Sequence, residues 1–329
     1  MNCTQTNLLF SKPEFNTITL HCLVFLEVPV HAFGTFCILC KTPKAMNSVK
    51  WTMLNLHFWT ALLDFSITAL VTPYMTLPAL AGYTFGLFSW FGIDIIYQVY
   101  FNFSVSFTVG ASIIWLLETR YNLFMGGAIW KKLRIPYHIF NYTFCFTFMI
   151  PQLTILLPDQ QLALASFSQY LPCSIGTSRQ VFGLIFNSDS NFNYLVIVVL
   201  VFNGPLIIIG VYFGFALQFH FGRWKLSSRL AVTLQSRLQI AVIIQISIPI
   251  TVVICPVMYG VFSVLTGYHN QNFNNLAGLC ISLHGVVSTI AMLLIHHPYR
   301  LEVVKLIPEL DKYFADHDPN RNRVGSIVF

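Results

Sequence analysis

Charged residues are scarce in this sequence, and that scarcity limits the kind of fold it can adopt. Only 9% of the 329 residues are Asp, Glu, Lys or Arg, whereas 56% are hydrophobic and 16% are aromatic. Soluble domains are about one quarter charged and about half apolar. Because too few polar groups are present to cover the apolar surface, we predict a chain that lies partly in lipid.

The sequence also lacks the residue patterns of several enzyme classes. Its ten histidines include no pair four residues apart, which zinc hydrolases use, and the adjacent His296 and His297 would point about 100° apart on a helix. No nucleophile elbow, phosphate-binding loop or paired intramembrane aspartates occur. We therefore predict no enzyme activity, no metal or other cofactor, and no nucleic-acid partner.

Seven apolar windows have about the 20-residue length that a helix needs to cross a bilayer. They predict an all-α membrane protein, built as a seven-transmembrane helix bundle. The windows are 17–39, 52–73, 95–117, 136–157, 194–218, 239–263 and 276–297. A further uncharged stretch, 74–93, is interrupted by Pro78, Gly82, Gly86 and Gly92, so we predict an apolar loop at the membrane surface.

Basic residues predict the orientation of this bundle. With seven spans, 16 of the 18 Lys and Arg residues fall on the same side of the membrane, which is typical of cytoplasmic loops. An eighth span at 74–93 would place the basic clusters around Lys50 and Arg120 on opposite sides. We therefore predict an extracellular N-terminus at 1–16, a transmembrane domain at 17–297 and a cytoplasmic tail at 298–329.

Two features belong to the predicted outer side. Asn2-Cys3-Thr4 is a glycosylation sequon with Asn2 as the acceptor. Of the eight cysteines, only Cys3 and Cys173 face this oxidising side. They could form a disulfide or stay as two free thiols, and their spacing in the sequence does not decide between the two.

Ionisable side chains inside the predicted spans are rare enough to mark sites of interest. Glu27 and His31 lie four residues apart on one face of the first span, and His57 and Asp64 lie seven apart on one face of the second. Each couple could form a local pair of acid and imidazole. Together with His284 in the seventh span, these groups could contact a ligand or act as a switch, or they could supply hydrogen bonds between helices.

Prolines and glycines predict breaks and close contacts in the fifth and sixth spans. Pro249 and Pro256 lie seven residues apart and each removes a backbone hydrogen bond, so we predict a kinked sixth helix. The kink could be permanent or could act as a pivot. Gly210 and Gly214 in the fifth span have the spacing that permits close helix packing or dimerisation.

The predicted cytoplasmic side is basic and partly amphipathic. The third inner connection, 223–238, contains no acid, and its leucines recur every four residues, which predicts helical extensions of spans five and six. Its basic residues are Arg223, Lys225, Arg229 and Arg237. After the seventh span, residues 301–314 separate apolar from charged positions, which predicts a short amphipathic helix along the membrane.

Short motifs along the whole chain resemble those of one family. They include Asn55-Leu-His-Phe-Trp59, Glu118-Thr-Arg-Tyr121, Gln245-Ile-Ser-Ile-Pro249, Ser282-Leu-His-Gly285 and His297-Pro-Tyr-Arg300. No motif is specific alone, but their order and spacing are similar to those of nematode serpentine receptors of class H (Srh). That family belongs to the Str superfamily of seven-transmembrane chemoreceptors.

The resemblance implies a G-protein-coupled receptor for an unknown environmental small molecule, displayed on the plasma membrane of a sensory neuron, at its cilium. A heterotrimeric G protein would then meet the basic inner side, and a receptor dimer is a further expected assembly. The coupling candidates are Arg120, Tyr121, Arg223, Lys225, Arg229, Arg237, Tyr299 and Arg300. A ligand-gated channel or a transporter with seven helices is the alternative class.

Glu118 and Arg120 occupy the place where rhodopsin-like receptors carry an acid directly before an arginine. Here Thr119 separates them, and two residues correspond to about 200° of helix rotation, so the two charges should not pair. No Asp or Glu occurs between Asp189 and Glu302, so the sixth helix offers no acid either. We predict that carbonyls, hydroxyls or lipid phosphate hold Arg120 at rest and that Arg120 contacts the G protein when the helices open.

Overall fold

The computed structural model describes residues 9–79, 81–125, 127–150, 181–183, 212, 244, 247 and 251–306. Over these ranges the protein is mostly helical, with a small three-stranded sheet. The helices are α1 (Pro13–Cys40), α2 (Asn47–Phe65), α3 (Leu87–Trp90), α4 (Ile95–Met125), α5 (Ala128–Thr147), α6 (Thr251–Thr266), α7 (Gln271–Ser282), α8 (His284–Ile295) and α9 (His297–Lys305). The strands are β1 (Pro73–Thr76), β2 (Ala81–Thr84) and β3 (Phe182–Gly183). A π-helical turn, Ser66–Leu70, extends α2.

Helix α1 has polar residues on its buried face and apolar residues on its exposed face. It begins at Pro13, where a helix needs no N–H donor, and it buries Glu27 to 1% exposure. Phe25 on the same helix is 83% exposed. Among the described residues, three helical stretches are long and apolar enough to cross a membrane: Pro13–Cys40, Ile95–Leu123 and Gln271–Ile295. The burial of Glu27 and the exposure of Phe25 fit a helix α1 whose outer face is solvated by lipid.

The main core lies where α1, α2, α4, α8 and α9 meet. Its most buried side chains include Cys37 and Met53, from α1 and α2, together with Leu116, Met292 and Tyr299. Because Tyr299 belongs to α9, the core extends beyond the end of α8. This packing holds the start of α9 against the inner end of the bundle.

The stretch 74–93, for which the sequence predicts an apolar loop at the membrane surface, contains a β-hairpin and a short helix. Strands β1 and β2 pair antiparallel, with Tyr74 opposite Tyr83, and β3 pairs with β2. Gly82 is required because a Cβ atom there would overlap the Tyr74 carbonyl oxygen. The glycines that exclude a long helix therefore permit a tight hairpin, and α3 follows with Trp90 77% exposed.

The seventh predicted span, 276–297, is broken in its middle. Helix α7 ends at Ser282, Leu283 forms a turn, and helix α8 begins at His284. The first amides of α8 lack the carbonyl partners that a continuous helix would provide. A break of this kind at membrane depth requires acceptors from another helix.

The structure leaves part of the predicted topology outside its described ranges. The window 194–218, most of 239–263, and the residues Pro249, Gly210 and Gly214 lie there. The count of seven spans, the span boundaries and the outer N-terminus therefore stay predictions. Helix α9 begins at His297 and covers 301–305 of the predicted amphipathic segment, whose residues 307–314 lie outside the described ranges; its buried side chains are Tyr299 and Val304.

Candidate functional site

The carboxylate of Asp64 fills the break in the seventh span. Its Oδ1 and Oδ2 accept hydrogen bonds from the amides of Gly285 (3.2 Å) and Val286 (2.9 Å), which are the free donors at the start of α8. The His284 Nδ1 lies 2.8 Å from Oδ1, and Asp64 is fully buried. Negative charge is favourable at a helix N-terminus. Asp64 of α2 therefore caps α8 from across the bundle.

Helix α1 reaches the same carboxylate through a histidine. The His31 Nε2 lies 3.2 Å from Asp64 Oδ2, and the His57 Nε2 donates to the His31 carbonyl at 3.0 Å. The two imidazole rings are 5.3 Å apart. The hydroxyl oxygen Oγ1 of Thr289 in α8 lies 3.2 Å from His31 Nδ1 and 3.4 Å from His57 Nδ1. These contacts join α1, α2 and α8 into one polar centre, which we call the Asp64 centre.

The local pairs that the sequence permitted do not form. Asp64 bonds to His31 instead of His57, and Glu27 Oε2 accepts from the Thr68 hydroxyl at 2.6 Å instead of pairing with His31. Residues on one face of a helix point together toward the neighbouring helix, so their hydrogen-bond partners lie on that helix. In the part of the chain that the structure describes, Glu27 Oε1 and His284 Nε2 are buried without a hydrogen-bond partner.

At the predicted inner end of α4, Glu118 and Arg120 point in different directions, as the helix geometry predicts. Glu118 is fully buried and bonds to Trp130, Arg134 and His138 of α5. Arg120 is 3% exposed, and within the described ranges its Nε and Nη2 atoms have no hydrogen-bond partner. The carbonyls and hydroxyls that the sequence suggested for Arg120 are therefore not bonded to these two atoms in this part of the chain.

The remaining inner candidates divide by burial. Tyr299 is fully buried, and its hydroxyl lies 2.7 Å from Thr42 Oγ1, so it packs α9 against α1 and is not presented to a partner. Burial raises the pKa of Tyr299, which keeps this hydroxyl neutral. Arg300 is exposed. The ring centroids of Tyr121 and Tyr212 are 6.1 Å apart.

Lys41 and Glu302 tie the end of α1 to α9 by a salt bridge of 3.1 Å. Lys305 lies 2.8 Å from the other oxygen of Glu302. The hydrogen bond from Lys305 and the additional bond from Lys41 lower the pKa of Glu302 below its usual value. Helix α9 is therefore attached to the bundle both by a buried tyrosine and by a surface ion pair.

A cluster of side-chain amides at the predicted outer end has no counterpart among the sites that the sequence predicts. Gln271 Nε2 donates to the Met75 carbonyl at 3.0 Å, and Asn274 Nδ2 donates to the Leu77 carbonyl at 3.3 Å. Asn275 Nδ2 donates to the Phe10 carbonyl at 2.7 Å. These side chains of α7 hold the β-hairpin and the N-terminal segment, and we call them the outer clasp. The amide-rich run Asn270-Gln-Asn-Phe-Asn-Asn275 was the available signal.

Two tyrosines complete the outer clasp. The Tyr259 hydroxyl of α6 donates to Asn274 Oδ1 at 2.7 Å, and the Tyr74 hydroxyl of β1 donates to the Ser11 carbonyl at 2.6 Å. Burial raises the pKa of Tyr74, so its hydroxyl stays a donor at physiological pH. The clasp therefore joins the hairpin, the N-terminal segment, α6 and α7.

Several predicted site residues lie outside the described ranges. They are Asn2, Cys3, Cys173, Arg223, Lys225, Arg229, Arg237 and Pro249. Pro256 lies in α6 and is buried. The described cysteines, Cys22, Cys37, Cys40, Cys145, Cys255 and Cys280, are free thiols. In the same ranges no group of three or more His, Cys, Asp or Glu side chains could hold a metal ion.

The chain is similar to known proteins over nearly its whole length. Residues 11–309 match the family described as the serpentine type 7TM GPCR chemoreceptor Srh. Serpentine receptor class H-72 of Caenorhabditis elegans is 26% identical over 291 residues, which cover 84% of this chain and 81% of that relative. The resemblance drawn from the sequence motifs is thus confirmed, and the chain belongs to the Srh family of serpentine chemoreceptors.

Proposed function

We propose that this chemoreceptor binds an environmental small molecule and activates a heterotrimeric G protein. Membership of the Srh family supports the proposal in general terms. Its specific support is the buried side chain of Arg120, because two guanidinium nitrogens, Nε and Nη2, have no hydrogen-bond acceptor among the described residues and burying unbonded donors is costly. A G-protein segment that offers carbonyl or carboxylate oxygens at the inner end of α4 would satisfy it.

The ligand would act at the outer end, where the clasp joins four segments of the chain. An agonist shifts the receptor toward its active arrangement only if it binds that arrangement more tightly than the resting one. The clasp contains a contact that can differ between the two arrangements, since Tyr259 of α6 and Asn274 of α7 bond to each other there. A ligand that competes for these amides would change the relative positions of α6 and α7.

The proposed setting is a multi-pass protein of the plasma membrane, with seven spans, an outer N-terminus and a cytoplasmic C-terminus. Display on the cilium of a sensory neuron follows from the chemosensory role. A dimer would use the small-residue pair at Gly210 and Gly214 in the fifth span.

A cell assay tests the coupling. The receptor is expressed in cells that report calcium and cyclic nucleotides, and a panel of volatile and water-soluble odorants is applied to normal cells and to cells lacking G-protein α subunits. We expect responses that disappear without the G protein. A ligand-evoked current that survives in the deficient cells would support the channel or transporter instead and would refute the proposal.

A variant of Arg120 tests its role directly. Arg120→Ala should abolish the odorant response while surface expression is retained, because the variant removes the donor group and relieves an unpaired buried charge. Lys12→Ala is the matched control, since Lys12 is an exposed basic residue just before α1. A normal response from Arg120→Ala would contradict the coupling role.

A further inference from the structure

The carboxylate of Glu118 has all its hydrogen-bonding capacity engaged by one neighbouring helix. Oε1 accepts from Trp130 Nε1 at 2.8 Å and from Arg134 Nε at 3.1 Å. Oε2 accepts from Arg134 Nη2 at 2.9 Å and from His138 Nε2 at 3.0 Å. The two nitrogens of Arg134 thus bind both oxygens, which is the strong bidentate geometry of arginine and carboxylate.

The three donors lie four residues apart along α5 and therefore share one face. At about 1.5 Å per residue, the stretch from Trp130 to His138 covers about 12 Å of helix. Trp115 of α4 also stacks on the His138 ring, with 5.0 Å between the centroids. One residue of α4 consequently fixes both the position and the rotation of the first turns of α5.

The face of α5 turned away from Glu118 carries exposed basic residues. Lys131 and Lys132 directly follow Trp130 and are both exposed, at the end of the helix that follows the inner connection. A rotation of about 100° per residue directs them away from the α4 contact. Loss of the hydrogen bonds to Glu118 would rotate or displace these two lysines relative to Arg120 on α4.

The geometry points to Glu118 as a positioning residue for G-protein coupling, which holds the exposed Lys131 and Lys132 at a fixed position relative to the buried Arg120, so that the G protein docks on the two lysines and contacts Arg120 when the helices open. This inference rests on the proposed function. It assigns Glu118 a contact with α5, not with the neighbouring arginine that the Glu-Thr-Arg-Tyr motif suggests. It also explains why Glu118 does not bond to Arg120 within the described part of the chain, because both oxygens of Glu118 are fully engaged by α5.

A distance measurement tests the positioning without a ligand or a G protein. Spin labels are attached through non-natural amino acids at the exposed Leu123 and Ile135 of the full-length receptor in lipid nanodiscs. Glu118→Gln keeps the side-chain size but removes the charge. We expect at least a doubling in the width of the distance distribution, whereas Glu14→Gln, an exposed acid near the start of α1, should match the wild type. An unchanged distribution in Glu118→Gln overturns the inference.

A nucleotide-exchange measurement tests the consequence for coupling. The nanodiscs are titrated with purified heterotrimers of the Gi/o, Gs and Gq classes, with and without the odorant panel. We expect Glu118→Gln to raise the G-protein concentration at half-maximal exchange about tenfold, with the maximal rate within twofold of the wild type. A variant that was only partly folded would lower the maximal rate instead, and that result would count against positioning.

A conservative variant separates charge from geometry. Arg134→Lys keeps the positive charge but loses the fork that binds both oxygens of Glu118, so both readouts should fall between those of the wild type and Glu118→Gln. A wider distance distribution with an unchanged half-maximal concentration would overturn the role in coupling. Failure of the wild type to promote exchange with any heterotrimer would refute the proposed function, while the distance measurement still decides whether Glu118 positions α5.

Discussion

A methyl group at residue 285 should dislodge the carboxylate that caps α8. A Cβ atom added to Gly285 would lie 2.8 Å from Asp64 Cγ and 2.9 Å from Oδ1, and it would overlap Oδ2. Such separations are too short for unbonded atoms, and these atoms belong to the Asp64 side chain, which several groups hold in place. Gly285→Ala should therefore push Asp64 away from the start of α8 and leave the amides of Gly285 and Val286 without an acceptor.

The expected loss follows from the two amide bonds. Hydrogen bonds to charged groups contribute about 1.5–3 kcal/mol each, and values measured between membrane helices are about 0.6–2 kcal/mol. We expect a net loss of about 2–3 kcal/mol. Since 1 kcal/mol corresponds to roughly 2–4 °C in a large domain, the apparent melting temperature should fall by about 5 °C or more.

A thiol-reactive fluorescent dye can follow this unfolding in detergent. Cys37 and Cys145 are free and at most 1% exposed, so they react only when the bundle opens. Gly278→Ala is the matched control, because a Cβ atom at Gly278 of α7 meets nothing within 4 Å. Asp64→Asn should lower the melting temperature in the same direction. If Gly285→Ala melts within about 1 °C of Gly278→Ala, the cap on α8 does not contribute as we argue.

Two further predictions concern the ends of the bundle. Tyr74→Phe removes the donor to the buried Ser11 carbonyl and should speed hydrogen exchange of the first amides of α1 by about fivefold, given about 1 kcal/mol for the bond; unchanged exchange there would contradict the tie. The lowered pKa of Glu302 means that its ion pairs stabilise the fold above the usual glutamate pKa, and that this contribution disappears as the pH falls through the lowered value. Glu302→Gln should therefore lower the melting temperature by about 1–2 °C at pH 7 and low salt, by less at high salt, and by progressively less as the pH falls through the lowered pKa of Glu302; a salt-independent loss would contradict the ion-pair explanation.

Helix periodicity correctly predicted which side chains of one helix point in the same direction. It did not predict which side chains of different helices bond to each other. It correctly separated Glu118 from Arg120, because a rotation of about 200° follows from helix geometry alone. It also placed Glu27 with His31, and His57 with Asp64, on one face of each helix, and all four side chains are buried. It did not predict that His31 and Asp64 bond to each other, since the choice of partner depends on helix packing and the two residues are 33 positions apart.

The outer clasp was missed for a related reason. Its contacts connect α7 to backbone carbonyls in the hairpin and in the N-terminal segment, and peptide carbonyls have no sequence signature. The hairpin itself was hidden because proline and glycine at 74–93 exclude a long helix without specifying what replaces it. The break at Leu283 has no proline within α7 to signal it, and it depends on an acceptor supplied by Asp64 more than 200 residues earlier.

The two halves of the seventh span are held by different parts of the protein, and this division suggests how a signal crosses the bundle. Helix α7 is held by the outer clasp, whereas α8 is held by Asp64 and continues into α9, which Tyr299 attaches to α1. A displaced hairpin would therefore move α7 about Leu283 and leave α8 in place. The outer clasp also connects α7 to α6, because Asn274 of α7 accepts a hydrogen bond from the Tyr259 hydroxyl of α6. Because α6 contains the buried Pro256, we expect α6, and not α8, to carry the movement toward Arg120.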